Sequence, residues 1–215
     1  MVSVAIPCRS AVSPAGAARY TWPIEGRIFA SQPERGDVVI FKHPVDRADY
    51  IKRVIALPGD TIAMRGGVPI LNGEPLEQER IDDFLVRVSP NTSCAWGAEA
   101  DRDANGGPIC RYRRMRETLP SGRSYGVLDF GTLPQDDMAP VVVGEGEMFL
   151  LGDNRDNSQD SRFEARAGGG LGLVSQNLLV GEAQAIVWST DGGAEWIKPW
   201  TWFTAARWGR MGDGI

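Results

Sequence analysis

Histidine is almost missing from this chain of 215 residues, with His43 as the single example. A Ser-His-Asp or Cys-His nucleophile would have to use it. It stands in F-K-H-P at the end of a strand-like run, where it reads as an exposed or hydrogen-bonded structural residue. Cysteine is scarce as well. Cys8, Cys94 and Cys110 form no C-x-x-C and no Cys/His cluster, so no zinc site is expected. Phosphate loops of the G-x-x-x-x-G-K-[ST] type are missing, as is a G-x-G-x-x-G after a strand, and no cofactor is expected. No run approaches the roughly 20 apolar residues that span a bilayer. The start, M-V-S-V-A-I-P, has no basic segment and an early proline, and it predicts neither a secretion leader nor a membrane anchor within this sequence. Positive charge is in deficit: the net charge is -5, which speaks against nucleic acid as a partner. The run R-Y-R-R-M-R, Arg111 to Arg116, is the exception and reads as a solvated strand face.

What is present is mainly β. D-V-V-I-F-K is a short β-branched run, and Y-I-K-R-V-I-A-L stops at P-G-D, a turn signal. T-I-A-M-R, G-G, V-P-I-L and N-G predict two short strands with tight turns, the start of an antiparallel meander. Strands resume at P-V-V-V, E-M-F-L-L-G-D, G-L-V-S and A-Q-A-I-V-W-S. Residues 1–19, rich in Ala, Ser and Pro, show no periodicity and are expected to be disordered. Residues 20–76 and 140–194 are expected to build a discontinuous β core, with 77–139 inserted as a smaller β domain and 195–215 forming a Trp-rich tail. Within the insertion, Cys94 and Cys110 flank a polar loop. They could close a disulfide in an oxidising compartment, and two free thiols fit the sequence equally well.

Two segments carry chemistry. Lys52 sits inside the apolar strand Tyr50-Ile51-Lys52-Arg53-Val54-Ile55, sharing a face with Tyr50 and Val54 while Arg53 points the other way. A lysine losing hydration there is driven towards its neutral form and can take a proton from a hydroxyl. A lysine snorkelling from an edge strand fits the bare pattern too. The second segment is Gly152-Asp153-Asn154-Arg155-Asp156-Asn157-Ser158-Gln159-Asp160-Ser161-Arg162, directly after the strand end Met148-Phe149-Leu150-Leu151. Its donors and acceptors can satisfy one another through Asp–Arg pairs and side-chain-to-backbone bonds.

Together with Arg35-Gly36-Asp37-Val38-Val39, these boxes resemble, in order, those of the bacterial type I signal peptidase family of Ser/Lys endopeptidases. The resemblance runs from about Trp22 to Trp208. It implies an antiparallel β catalytic core with an inserted, smaller β domain. It implies Lys52 as general base and Ser158 as the hydroxyl that orients the lysine amine. Asp160 and Arg162 match a structural ion pair with Arg53 near it, and Gly152 and Asp153 match the tight loop that carries these groups. It further implies removal of signal peptides from preproteins, without cofactor or metal, by a monomer at a membrane surface. That membrane would be the bacterial inner membrane, with the catalytic domain facing the periplasm.

One box is missing. The family's nucleophile lies in an S-x-S-M-x-P-T-like segment upstream of R-G-D-V-V, and none of Ser3, Ser10, Ser13 and Ser31 stands in such a context. The nucleophilic serine is therefore not identifiable, and residues 1–19 are read as replacing the family's upstream sequence. A catalytically inactive member, binding peptides or inert, is the competing reading. A self-cleaving repressor would need an N-terminal pair of DNA-binding helices, which the first 30 residues cannot form. The tail interleaves Trp196, Trp200, Trp202, Phe203 and Trp208 with Lys198, Arg207 and Arg210. It is expected either at a membrane surface, with a short helix from Pro199, or packed on the core.

Overall fold

The computed structural model describes residues 2–5, 32–89, 91–189, 198 and 200–210. Fifteen strands occur among them. The first five are β1 (Val2–Ala5), β2 (Val38–Lys42), β3 (Asp49–Ala56), β4 (Thr61–Arg65) and β5 (Val68–Leu71). Next come β6 (Glu74–Pro75), β7 (Glu77–Arg87), β8 (Glu99–Arg102), β9 (Pro108–Thr118) and β10 (Ser124–Leu128). The last are β11 (Met138–Val142), β12 (Glu147–Leu151), β13 (Val174–Ser175), β14 (Leu179–Glu182) and β15 (Ala185–Ser189). A single α-helix among the described residues, α1, covers Trp200–Thr204.

All the strand pairings within these sheets are antiparallel. The central sheet runs β13-β12-β3-β2-β14, and a second runs β11-β4-β5-β6. The turns of the second sheet follow from the sequence. Gly66 and Gly67 (φ 54 and 82) close β4 onto β5, and Asn72 and Gly73 (φ 53 and 91) close β5 onto β6. Positive φ at both central positions matches the right-handed twist of the flanking strands, and these residue types tolerate it.

The second half of β3, Arg53–Ala56, and most of β12 are buried on both faces, which is why V-I-A and M-F-L-L read as apolar runs instead of alternating ones. Ile55, Phe149 and Leu151 enter one hydrophobic cluster with Ile62 and Met64. Their chain neighbours Val54, Met148 and Leu150 enter the other, with Phe41 and Leu171. The polar loop after Leu151 thus starts from a strand clamped on two sides.

Residues 77–128 form a sheet of their own, β10-β9-β7 with β8 also on β9. β11 falls at the end of the expected insertion yet pairs with β4. The arginine-rich run lies on β9. Arg111 pairs with Asp83 and Asp101 across the strands, and Arg116 with Glu79. A disulfide joins Cys94 to Cys110, with Cα atoms 5.3 Å apart.

Within the stretch expected to be disordered, Val2–Ala5 is a strand paired with β15. V-S-V-A is too short to reveal periodicity, and its partner lies at the far end of the chain. The rest of residues 1–19 lies outside the described residues, as do Trp196 and Pro199. No helix among the described residues is long and apolar enough to cross a membrane.

Peptide mapping of the unreduced protein should return Cys94 and Cys110 in one linked species. Replacing both by alanine should cost about 3 kcal/mol, the chain-entropy value for a loop of roughly 15 residues. Urea unfolding reads this, and an unchanged midpoint would refute it.

Candidate active site

Strand alternation sends Lys52 and Arg53 of β3 to opposite sides of the central sheet, where β2 sets Val39 opposite Lys52 and Val38 opposite Arg53. The two residues have separate tasks.

Lys52 Nζ donates to Ser158 Oγ at 2.6 Å, joining positions 106 apart in sequence. Ser158 is buried and sits at the end of a 3-10 turn, Arg155–Asn157, that begins four residues beyond β12. The Asn154 side chain caps this turn by accepting from Asn157 N. Gly152 makes the meeting possible. A Cβ there would overlap Ser158 Oγ, lie 2.6 Å from Ser158 Cβ and reach 3.2 Å from Lys52 Nζ. Burial lowers the Lys52 pKa, and the charge of Arg162 adds to this, while Asp160 and Asp153 oppose it. The amine is therefore more easily neutral than an exposed lysine.

Arg53 is buried, and its Nε and Nη2 grip both carboxylate oxygens of Asp153 at 2.8 and 2.7 Å. Its Nη1 donates to the Gly36 carbonyl at 2.8 Å, and its guanidinium lies 4.2 Å from the Tyr125 ring centre. Asp160 has no exposed surface; it accepts from Gly152 N at 3.2 Å and from Arg162 Nε and Nη2, both at 2.9 Å. The sequence sets Arg53 beside the Asp160–Arg162 pair, whereas its own partner is Asp153.

The R-G-D-V-V box braces the same region. Arg35 forks onto Asp60 of the P-G-D turn at 2.9 and 2.5 Å. Burial alone would raise the Asp60 carboxyl, but Arg35, the Leu57 N–H and the Asn72 amide hold it below the usual range. Gly36 adopts φ +95, where a Cβ would also press on Arg123 and Leu119. Asp37 takes Arg123 Nη1 at 2.6 Å. His43 is buried, with Nδ1 accepting from Val45 N and Asp46 N at 3.2 and 3.4 Å, a structural arrangement.

Sequence reasoning does not find Glu117. It lies on β9 with no exposed surface and accepts from Arg155 Nη2 at 2.6 Å, Tyr125 OH at 2.6 Å and Gln78 Nε2 at 2.9 Å. Burial raises its pKa, but Arg155, Tyr125 and Gln78 together outweigh burial and hold the carboxyl below its usual range. Its context, R-E-T-L, is that of any surface glutamate. The even spread of turn residues through the insertion gives no signal for it either. Among the described residues no group of His, Cys, Asp and Glu has the arrangement of a metal site.

Gly152→Ala should break the Lys52–Ser158 contact and cost about 1–3 kcal/mol through overpacking. A lower urea midpoint and a structure of the variant would read this; an intact 2.6 Å contact in the variant would sink it. Lys52 also couples stability to pH. Its folded pKa is lowered, so between that value and the ordinary lysine pKa the unfolded chain binds more protons. Stability should therefore rise with pH across that window, and Lys52→Met should flatten the rise.

The chain matches the family model described as signal peptidase, peptidase S26, over residues 6–188. It is 35% identical over 174 residues to signal peptidase I of Rickettsia prowazekii, covering 77% of this chain and 56% of that protein. Identity and coverage are the same for signal peptidase I of Rickettsia typhi. A crystal structure of a signal peptidase I from Enterococcus faecalis is similar at 25% identity, over 71% of this chain and 97% of that chain, with a TM-score of 0.36. The chain spans about half the length of the curated relatives it matches. On the extent of the family match and the identity to these relatives, the chain belongs to the signal peptidase family, peptidase S26.

Proposed function

We propose that this chain is the catalytic β part of a signal peptidase I, a serine endopeptidase that removes signal peptides from preproteins with Lys52 as general base. The observation that carries this reading is the half-buried Lys52 amine, of lowered pKa, 2.6 Å from the Ser158 hydroxyl.

The chemistry follows from these groups. Neutral Lys52 Nζ has a lone pair and takes the proton of a nucleophilic serine hydroxyl as that oxygen attacks the scissile carbonyl. The ammonium so formed returns the proton to the leaving amine, and the neutral amine then activates water to release the acyl group. Ser158 supports Lys52 from the side by restricting the amine to one orientation. Asp160 lies close enough to favour the ammonium transiently formed. The nucleophile is assigned to no described residue, and the oxyanion donors of its segment go with it.

Incubated with a preprotein carrying small residues before its cleavage site, the 215-residue chain is expected to leave it intact. Loss of a nucleophile removes on the order of 10⁶-fold in a comparable serine protease. Robust cleavage abolished by Lys52→Ala would show that a serine such as Ser3, Ser10 or Ser13 serves as nucleophile. It would overturn the expectation while strengthening the role of Lys52.

The partners in this reading are preprotein signal peptides and the outer surface of the bacterial inner membrane, met by a monomer facing the periplasm. Trp200, Phe203 and Trp208 are exposed at 64%, 63% and 55%, an unusual density of large apolar surface near one short helix. Tryptophan favours the headgroup level, and Arg207 beside it favours anionic lipid. Liposomes containing anionic lipid are expected to bind the protein less after Trp200, Phe203 and Trp208 are changed together to Ser. Equal binding by both forms would assign the tail elsewhere.

A further inference from the structure

We propose that Glu117 of the inserted sheet is a positioning residue for Lys52 and Ser158, holding through Arg155 the turn that presents the Ser158 hydroxyl. The inference rests on reading Lys52 as the base and Ser158 as its orienting partner.

The geometry has three links. First, Glu117 cannot shift within its own sheet. Gln78 of β7 and Tyr125 of β10 stand directly opposite it on either side, and both donate to its carboxylate. Second, the remaining donor comes from outside that sheet. Arg155, buried to 2% exposure, is the first residue of the turn that ends at Ser158, and its Nη2 reaches Glu117 Oε1 at 2.6 Å. Third, the Arg155 main-chain carbonyl accepts from Arg162 Nη2, and the same guanidinium grips Asp160, which in turn holds Gly152 N. Movement of Arg155 is therefore passed to both sides of the Ser158 hydroxyl.

The same sheet touches the loop again. Leu128 N of β10 donates to the Asp153 carbonyl at 2.7 Å, and the Tyr125 ring lies against Arg53, the partner of Asp153. The loop from Gly152 to Arg162 is thus fastened to the inserted sheet at its start and at Arg155. Packing alone would not demand an ion pair here. Apolar residues of similar volume often serve a buried site as well or better, and what a charged pair adds is one defined geometry.

The charged groups acting on Lys52 are Asp160, Arg162 and Asp153, all on this loop. Loosening the loop moves them away and admits water, so the state of the Lys52 amine reports on the Glu117 anchor without any need for turnover. The chain has three lysines, Lys42, Lys52 and Lys198, so the signals of isotope-labelled lysine can be followed individually by NMR across alkaline pH. Lys52→Arg identifies the signal of interest. In the unaltered protein, Lys52 is expected to titrate below the ordinary lysine value. Glu117→Gln is expected to move its midpoint up towards that ordinary value, with the protein still folding cooperatively. Glu79→Gln, which removes the exposed partner of Arg116 on the same sheet, is expected to leave it in place.

If Glu117→Gln folds and the Lys52 midpoint stays where it was, the inference is overturned and the reading of Lys52 as base stands. If Lys52 titrates at the ordinary lysine value in the unaltered protein, both are overturned. Should Glu117→Gln not fold, the pair Glu117→Leu with Arg155→Met removes the anchor without leaving a buried charge. A raised Lys52 midpoint in that double variant supports the inference, and an unchanged one overturns it.

Discussion

Asp160 is a carboxylate with no exposed surface, and its oxygens are satisfied by four donors: the Gly152 N–H, the Arg162 N–H and both arms of the Arg162 guanidinium. A buried carboxylate without such partners would be costly. The need to satisfy it folds the eleven residues Gly152 to Arg162 back onto the end of β12. Ser158 is carried into place by that closure. Gly152, whose N–H is one of the donors, leaves the space that Ser158 and Lys52 fill. The lysine contact is thus one outcome of a larger set of bonds that would exist without it.

The apolar part of the molecule makes this closure stiff. Successive residues of β3 and β12 enter two separate hydrophobic clusters, so neither strand can slide or rotate without opening one of them. A register slip by one residue would exchange the faces of Lys52 and Arg53. Each would then meet the other's surroundings: Lys52 the Asp153 and Gly36 side, Arg53 the Ser158 side. A buried ion pair, Arg155 with Glu117, adds a tether from outside these clusters. Removing one member of such a pair typically costs about 3–5 kcal/mol, because the other charge is left stranded.

Much of this was legible in the sequence because it is local. G-G and N-G dictate their turns, and Y-I-K-R-V-I places lysine and arginine on opposite faces by alternation alone. The dense polar loop announces internal Asp–Arg pairing, and Asp160 with Arg162 are two residues apart. What could not be read depends on distant partners. Nothing in G-D-N-R says that Asp153 takes Arg53 instead of a nearer cation. Nothing in R-E-T-L says that Glu117 faces inward, since its burial is set by how the inserted sheet lies against the loop. The same holds for V-S-V-A, which is a strand only because A-I-V-W-S lies beside it. The disulfide was open on sequence grounds because two cysteines around a polar loop fit either outcome.

The ionisable groups that anchor the Lys52 loop to the inserted sheet have been moved away from the alkaline range. Burial, together with the charge of Glu117, carries the Tyr125 phenol far above its usual value, and the Arg155 guanidinium is raised by Glu117 against the effect of burial. Glu117 itself is shifted downward. Over the alkaline interval in which the lysine changes state, these three keep a constant charge. The Glu117 anchor of the loop therefore keeps one charge pattern while the amine gains or loses its proton. The tether on the Ser158 turn is thus insensitive to the same change of pH that converts the lysine from donor of positive charge to base.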